Sequence, residues 1–402
     1  MSRRLLVSVV VAASLFAFYL PSSIDGVISQ PLSVVSIAGT CVLLASMWLL
    51  SDRQTPPLSV AAALSIVLLL AIFTVISPFE QTSRGVALLY VVQALLFLQS
   101  LRRLRSAAVE TTFVAVTVVS LVLGYALALD VAMADRFVLQ WYGAFYPELL
   151  GNMVTIGNKP VLTFATHSMA GFMIYLFFFM HLTAWRMRGD WWRLAAAVAS
   201  VGLLVLLRST TGQAFAGLAA LQLVLLVHYL PARVRALAVV ALLVAGYGVF
   251  TALGMDLGAL ASQVGDAIVG DRIRGLFSRY ASDGLLASNM SYLSNSPLWP
   301  IGLGATDALY LGDSGVVVNL LRGSVPLLLA VYGGWWLFLR ANLTDRRAAA
   351  WIWACTVLFE IGFTPLQYFR FVAFVPFLVV YLNSVSVAPT RPAALGALEG
   401  PG

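Results

Sequence analysis

The feature that most constrains this chain is a succession of apolar stretches, each about long enough to cross a bilayer, with brief polar punctuation between them. A spanning helix needs about 17–25 mainly apolar residues, because the hydrocarbon core holds no water to satisfy backbone N–H and C=O groups. Such stretches fall near 5–20, 34–50, 59–76, 86–100, 108–129, 161–185, 194–207, 213–230, 236–254, 315–339, 349–363 and 368–386. An all-α, polytopic membrane protein with about 12 transmembrane helices is therefore expected, as one integral unit over residues 1–402. Composition agrees: 10% of residues are charged, against about 25% in soluble domains, and mean hydropathy is +0.93. Ser2-Arg3-Arg4 and the apolar run after it have the look of a signal peptide, but further spans follow so closely that the segment reads as a retained first helix.

The net charge of +7 comes from 23 arginines and one lysine, Lys159, against 17 acidic residues. In such a chain, basic residues mark cytoplasmic connections rather than nucleic-acid binding. With both termini inside, Arg3, Arg4, Arg53, Arg102, Arg103, Arg105, Arg186, Arg188, Arg193, Arg233, Arg235, Arg340, Arg346, Arg347 and Arg391 are cytoplasmic, which is 15 of the 24 basic residues. The outer side keeps Arg84, Arg136, Lys159, Arg208, Arg272, Arg274, Arg279, Arg322 and Arg370. It also receives the two long connections, Asp130–Pro160 and Asp256–Ser324. A site built from them faces away from the cytoplasm and its nucleotides, and the chain has neither a GxxxxGK[ST] loop nor a dinucleotide fingerprint. Cys41 and Cys355 lie in apolar runs without metal spacing and read as small buried hydrophobes. No His/Cys/Asp cluster or Asp-x-Asp pair points to a metal, so neither metal nor cofactor is expected.

Charged chemistry concentrates in Asp256–Ser324. Ile273, Leu276, Phe277 and Tyr280 recur at i, i+3, i+4 and i+7, predicting an amphipathic helix on the membrane surface. Arg272 and Arg279 fall on one flank of its apolar face, and Arg274 projects to the other side. Paired guanidiniums there suit a diphosphate, whose oxygens match the planar fork, or equally the headgroups of anionic lipids. Pro297-Leu298 and Gly302-Leu303-Gly304 predict a tight turn, followed by Asp307 and Asp313. Asp313, just before an apolar run, reads as a helix N-cap, a role that leaves room for general-base chemistry.

Elsewhere, Arg208 precedes Ser209-Thr210-Thr211-Gly212 at the start of a span and reads either as an anion ligand or as an interfacial anchor. His167 is expected about two turns into its helix, facing the bundle interior as a functional group or satisfied by a neighbouring hydroxyl. His181 and His228 read as structural, and Glu360 with Arg370 as an ion pair across a helical hairpin.

The order of these features resembles the O-antigen ligase and polymerase superfamily, bacterial membrane glycosyltransferases with a GT-C-like fold. Arg279, Pro297-Leu298 and Gly302-Leu303-Gly304 stand where that superfamily has an arginine and a Pro-Leu-x-x-Gly-x-Gly turn, with one extra residue before the first glycine. Arg208, Ser209 and Gly212 look like its short outer arginine-serine-glycine segment. Ligases carry a histidine-asparagine pair after the turn, whereas this chain has Asp313-Ser314, which favours a polymerase.

The resemblance implies an active site in a large periplasmic loop of an inner-membrane protein. It implies a glycan on undecaprenyl diphosphate as donor, a sugar hydroxyl of a second lipid-linked oligosaccharide as acceptor, and an inverting reaction without metal or cofactor. Arg208, Arg272, Arg279 and Arg274 would bind the diphosphate, and Asp313, His167 or Asp307 would take the acceptor proton. Membrane lipids and a chain-length regulator are the partners compatible with that role. A ligase acting on a lipid or protein acceptor is the competing reading within the superfamily. A twelve-helix transporter or flippase of the lipid-linked unit is the reading from another class.

Overall fold

A computed structural model describes residues 31–50, 56–79, 84–142, 161–164, 166–207, 209–227, 280, 284, 286–296, 300–304, 309 and 314–386. Among these, every regular element is helical: α1 Pro31–Leu50, α2 Pro57–Val75, α3 Arg84–Phe97, α4 Ala107–Ala128, α5 Ala132–Tyr142, α6 His167–Arg188, α7 Trp191–Leu206, α8 Thr210–Val227, α9 Ala287–Asn295, α10 Gly315–Asn342, α11 Arg346–Glu360 and α12 Phe369–Val385. A short 3-10 turn, Pro365–Gln367, joins the last two. Helices α2, α4, α6 and α10 are long and apolar enough to cross a membrane, and shorter apolar helices lie within α1, α3, α7 and α12.

Ten of the expected spans thus have a helix at or near the anticipated position, and the stretches near 5–20 and 236–254 lie outside the described residues. Two helices were not anticipated. One is α5, inside the first long connection, where Val138 and Ala134 pack with Leu127 and Val161. The other is α9, inside the second, with Tyr292 and Leu293 against the cluster of Leu286, Ile301, Leu309, Val317 and Leu321. The surface helix expected around Arg272–Tyr280 lies outside the described residues except for Tyr280.

Helix α6 is the central element, with 89% of its spanning window buried, whereas α2 has 22% and presents most of its surface outward. Its burial follows from aromatic packing on several sides. Phe172 stacks on Phe359 of α11 at 4.6 Å and meets Phe371 of α12 at 5.2 Å and Phe215 of α8 at 5.6 Å between ring centres. Small residues permit close approach where no hydrophobic force separates helix from lipid. Gly171 of α6 faces the Gly212 backbone, and Gly202 of α7 meets the Tyr125 hydroxyl, which donates to the Ala199 carbonyl at 2.7 Å. His181 is fully buried, 3.0 Å from the Thr117 hydroxyl and beside the Phe113 ring, in the structural role expected for it.

Hydrogen bonds gather the arginine-bearing connections at one end of the bundle. Arg188 forks onto both Glu110 carboxylate oxygens at 2.6 and 2.7 Å, and Arg193 reaches Tyr381 at 2.6 Å and Asp190 at 3.2 Å. Asn342 accepts from the Leu101 N–H at 2.5 Å and donates to the Gln99 carbonyl at 3.1 Å, while Asn383 donates to the Asn342 carbonyl at 2.8 Å. The opposite end holds the last turn of α2, the first turns of α6, α8 and α10, and the α11–α12 connection.

Candidate functional site

The opposite end is organised by a break in α10. Gly323 and Ser324 leave helical geometry, and Ser324 has φ 55° and ψ −160°, a conformation costing a non-glycine residue about 1–3 kcal/mol. Pro326, two residues on, explains which backbone groups are released: it has no N–H to give the carbonyl of Arg322, four residues earlier. That carbonyl accepts from the Gly302 N–H at 3.0 Å, and the Leu321 carbonyl accepts from Ile301 at 2.8 Å. The glycine turn thereby takes over the hydrogen bonding that the helix gives up.

Gly302 has φ +56°, and a Cβ there would sit 2.6 Å from Phe73 C and Thr74 Cα, so both conformation and space require glycine. The Thr74 hydroxyl closes the turn from the other side, donating to Leu70 O at 2.6 Å and accepting from the Leu303 N–H at 3.0 Å. Arg322 completes it. The guanidinium is 1% exposed, and its Nη1 donates to Gly302 O at 2.8 Å and Gly304 O at 3.3 Å. Sequence reading counted Arg322 with the outer connection Asp256–Ser324, although the span expected near 315–339 also contains it; in the structure it is the eighth residue of helix α10, which starts at Gly315.

Glu360 is also fully buried, at the last turn of α11. Its Oε2 accepts from the Tyr332 hydroxyl at 2.9 Å and its Oε1 from the Leu366 N–H at 2.8 Å. Arg370 takes other partners, donating through Nη2 to the Thr163 hydroxyl at 2.8 Å and through Nη1 to the Thr163 carbonyl, with its guanidinium 4.5 Å from the Phe164 ring centre. The expected Glu360–Arg370 pair is thus replaced by two separate anchors: one holds the α11–α12 connection to α10, the other holds α12 to the chain entering α6. Between Glu360 and Arg322, the Tyr90 hydroxyl donates to Asn319 at 2.8 Å, Asn319 donates to Gly315 O at 2.8 Å, and Gln367 reaches Tyr90 at 3.4 Å. Buried polar groups in hydrocarbon surroundings have to be paired, and these bonds pair most of them, with the Arg322 Nε left without a hydrogen bond.

Ser314, not Asp313, caps α10: its Oγ accepts from the Val317 N–H at 3.3 Å and receives the Tyr280 hydroxyl at 3.1 Å. A serine serves a cap as well as an aspartate, so the two were indistinguishable in the sequence. His167 is the first residue of α6 rather than two turns inside it, because Thr166 caps the helix, accepting from Met169 N–H at 3.1 Å. Its neighbour Ser168 lies 3.2 Å from Thr211 of α8, and Ser209 accepts from the Gly212 N–H at 3.0 Å. The residues flanking position 208 are therefore at the same end as His167.

Asp307, Asp313, Arg208, Arg272, Arg274 and Arg279 lie outside the described residues. Tyr90, Asn319, Tyr332 and Thr74 were not singled out in the sequence, although polar side chains inside apolar runs are a legible sign of buried bonding. On the first long connection, burial and then the neighbouring Asp130 push the Asp135 carboxyl above the usual range. Comparison of the chain with protein-family models, with curated proteins and with solved structures finds no match in any of the three.

Proposed function

We propose that the chain is a polymerase of surface polysaccharide, an inverting membrane glycosyltransferase of GT-C-like architecture with twelve spans, cytoplasmic termini and a periplasmic site in the inner membrane. One observation carries most of the support. The glycine turn after Pro297-Leu298 is locked between α2 and α10 at the end of the bundle where His167 and the Ser209–Gly212 segment also lie. That supports reading the turn, the arginine-serine-glycine segment and the Asp313 position as parts of one site.

In the proposed reaction, an acceptor sugar hydroxyl attacks the anomeric carbon of the lipid-linked donor from the face opposite the diphosphate. The new carbon–oxygen bond forms as the bond to the diphosphate oxygen breaks, and the configuration inverts. Asp313, His167 or Asp307 accepts the hydroxyl proton, and undecaprenyl diphosphate leaves with the electron pair. Arg208, Arg272, Arg279 and Arg274 balance the negative charge that grows on it, so positive charge replaces the work of a metal.

The test is purified protein with a defined undecaprenyl-diphosphate oligosaccharide and no nucleotide. A ladder of products supports polymerisation, and a single addition to another acceptor identifies a ligase. Arg208→Ala and Arg279→Ala should each lose long-chain glycan while still inserting, with a barrier about 3–4 kcal/mol higher. Normal chain length in both would sink the assignment.

The break in α10 beside a buried arginine favours a second reading, transport of the lipid-linked unit, because discontinuous helices with released backbone groups are what transporter sites are built from. Movement of the substrate across liposomes with no new glycosidic bond would establish it.

A further inference from the structure

At the end of the bundle away from the glycine turn, two segments bearing paired arginines are fastened to the same asparagines. Leu101-Arg102-Arg103-Leu104 turns tightly after α3, closed by the Leu104 N–H donating to the Leu101 carbonyl at 3.0 Å. Leu101 is buried; its N–H donates to Asn342 Oδ1 at 2.5 Å and its carbonyl accepts from Asn383 Nδ2 at 3.4 Å. Arg102 and Arg103, between the leucines, are exposed. Asn383 Oδ1 accepts from the Thr344 N–H and hydroxyl, each at 3.0 Å. Asp345 follows and caps α11, accepting from the Arg347 N–H at 2.8 Å, and Arg346 and Arg347 are exposed in the first turn. Both arginine pairs thus start from main chain that has Asn383 as a shared partner. Among the described residues, no carboxylate forms an ion pair with any of the four. Like charges gathered in this way repel, and the dipole of α11 disfavours cations at its first turn, so an anion seated between the pairs would relieve both effects. Exposed tryptophans indicate the depth of the cluster. Trp191 and Trp192 open α7, and Trp48 lies one turn beyond Leu44, whose carbonyl accepts from Gln99 at 2.8 Å. Indole rings favour the headgroup layer, which places the arginines beside lipid phosphates.

We propose that this cluster binds an anionic phospholipid carrying two phosphates, one held by Arg102 and Arg103 and the other by Arg346 and Arg347. The forked guanidinium matches phosphate oxygens, and basic pockets between membrane helices suit such headgroups. Linking two phosphates in one molecule makes the second contact intramolecular, an advantage that a lipid with one phosphate lacks. An acidic protein would match the charge equally well, but the tryptophans at the same end favour lipid. The site is independent of the glycosyl-transfer reading.

Full-length protein in neutral detergent is titrated with tetraoleoyl cardiolipin, dioleoyl phosphatidylglycerol or dioleoyl phosphatidylcholine, and native mass spectrometry reads the fraction carrying one lipid. Cardiolipin should bind about tenfold tighter than phosphatidylglycerol, with phosphatidylcholine weakest. Removing one pair, as Arg346→Gln with Arg347→Gln, should bring cardiolipin to within about threefold of phosphatidylglycerol, because only one phosphate is then held. Arg102→Gln with Arg103→Gln should do the same, and it decides by that criterion should the first variant fail to fold. Arg186→Gln with Arg340→Gln removes equal charge from exposed positions at the same end and should leave the cardiolipin preference intact. Equal affinity for the two anionic lipids in the unaltered protein overturns the two-phosphate site. An equal loss in the Arg186 and Arg340 variant also overturns it, since diffuse charge would then suffice. No preference for either anionic lipid over phosphatidylcholine overturns the lipid reading and leaves the patch to an acidic protein.

Discussion

Gly315→Ala puts the packing of the two buried ends to a quantitative test. A Cβ on Gly315 would come within 2.5 Å of the Glu360 carboxyl carbon and overlap Oε2. The carboxyl must therefore leave its place and give up both the Tyr332 hydroxyl at 2.9 Å and the Leu366 N–H at 2.8 Å. Each buried group left without its partner costs about 1–3 kcal/mol, so the substitution should destabilise the fold by about 3–5 kcal/mol. Alanine itself is no burden in the first turn of a helix, where it exceeds glycine by up to about 1 kcal/mol. The loss should consequently vanish once the obstacle is gone. In a Glu360→Ala background, adding Gly315→Ala should lose nothing and gain at most about 1 kcal/mol, leaving a coupling of about 3–6 kcal/mol between the sites. Unfolding by SDS titration in mixed micelles, followed by tryptophan fluorescence, measures all four corners of the cycle. Equal losses in the two backgrounds would refute the idea that Gly315 is small for the sake of Glu360.

Two other glycines should separate in the same assay. Gly302→Ala meets a left-handed backbone and the α2 main chain and should cost at least about 2 kcal/mol, whereas Gly333→Ala has nothing within 4 Å and should be neutral or gain up to about 1 kcal/mol; the reverse order would contradict the geometry of the turn. Glu110→Gln removes the carboxylate that Arg188 forks and Arg193 approaches, and should cost about 2–3 kcal/mol, a loss below about 0.5 kcal/mol marking the pair as an ordinary surface contact. The Asp135 carboxyl is held above its ordinary range, so its folded state favours the protonated form, and this contribution is full at acid pH and lost as pH rises through the folded value. Asp135→Asn should therefore stabilise the protein at neutral pH and not at acid pH; a gain independent of pH would exclude titration as its cause.

Helix positions were legible because length and hydropathy are written residue by residue, and the bilayer permits few alternatives. What the sequence concealed was registration at helix ends. Thr166 rather than a residue two turns earlier starts α6, and Ser314 rather than Asp313 starts α10, because neighbouring Ser, Thr and Asp residues have nearly equal capping power and tertiary contacts choose among them. Arg322 was counted with the connection ending at Ser324 although the expected span near 315–339 contains it, and the break that Gly323, Ser324 and Pro326 mark inside that span went unread. Helix α9 was hidden because Ala287–Asn295 is polar and short, and it is held by Leu286 and Tyr292 packing on segments distant in sequence. Glu360 and Arg370 show the limit of charge matching by proximity. Ten residues apart and opposite in sign, they are bound instead by Tyr332, Leu366 and Thr163, partners that only the folded bundle brings near.

The two ends of the bundle seat their buried arginines on different partners, and the contrast bears on function. At one end Arg102, Arg103, Arg105, Arg186, Arg340, Arg346 and Arg347 are exposed, and Arg193 is buried against Tyr381 and Asp190. At the other, Arg322 and Arg370 are each 1% exposed and are seated on carbonyl and hydroxyl oxygens. Dipolar partners stabilise a guanidinium without cancelling its charge. The Arg322 guanidinium, which has no carboxylate ion pair among the described residues, stands beside the glycine turn. A transporter that only bound and released its cargo would be slowed by a fixed charge of this kind, whereas a reaction whose leaving group gains negative charge is accelerated by it. That asymmetry is the physical ground for preferring glycosyl transfer over transport, and the nucleotide-free transfer assay puts the preference at risk.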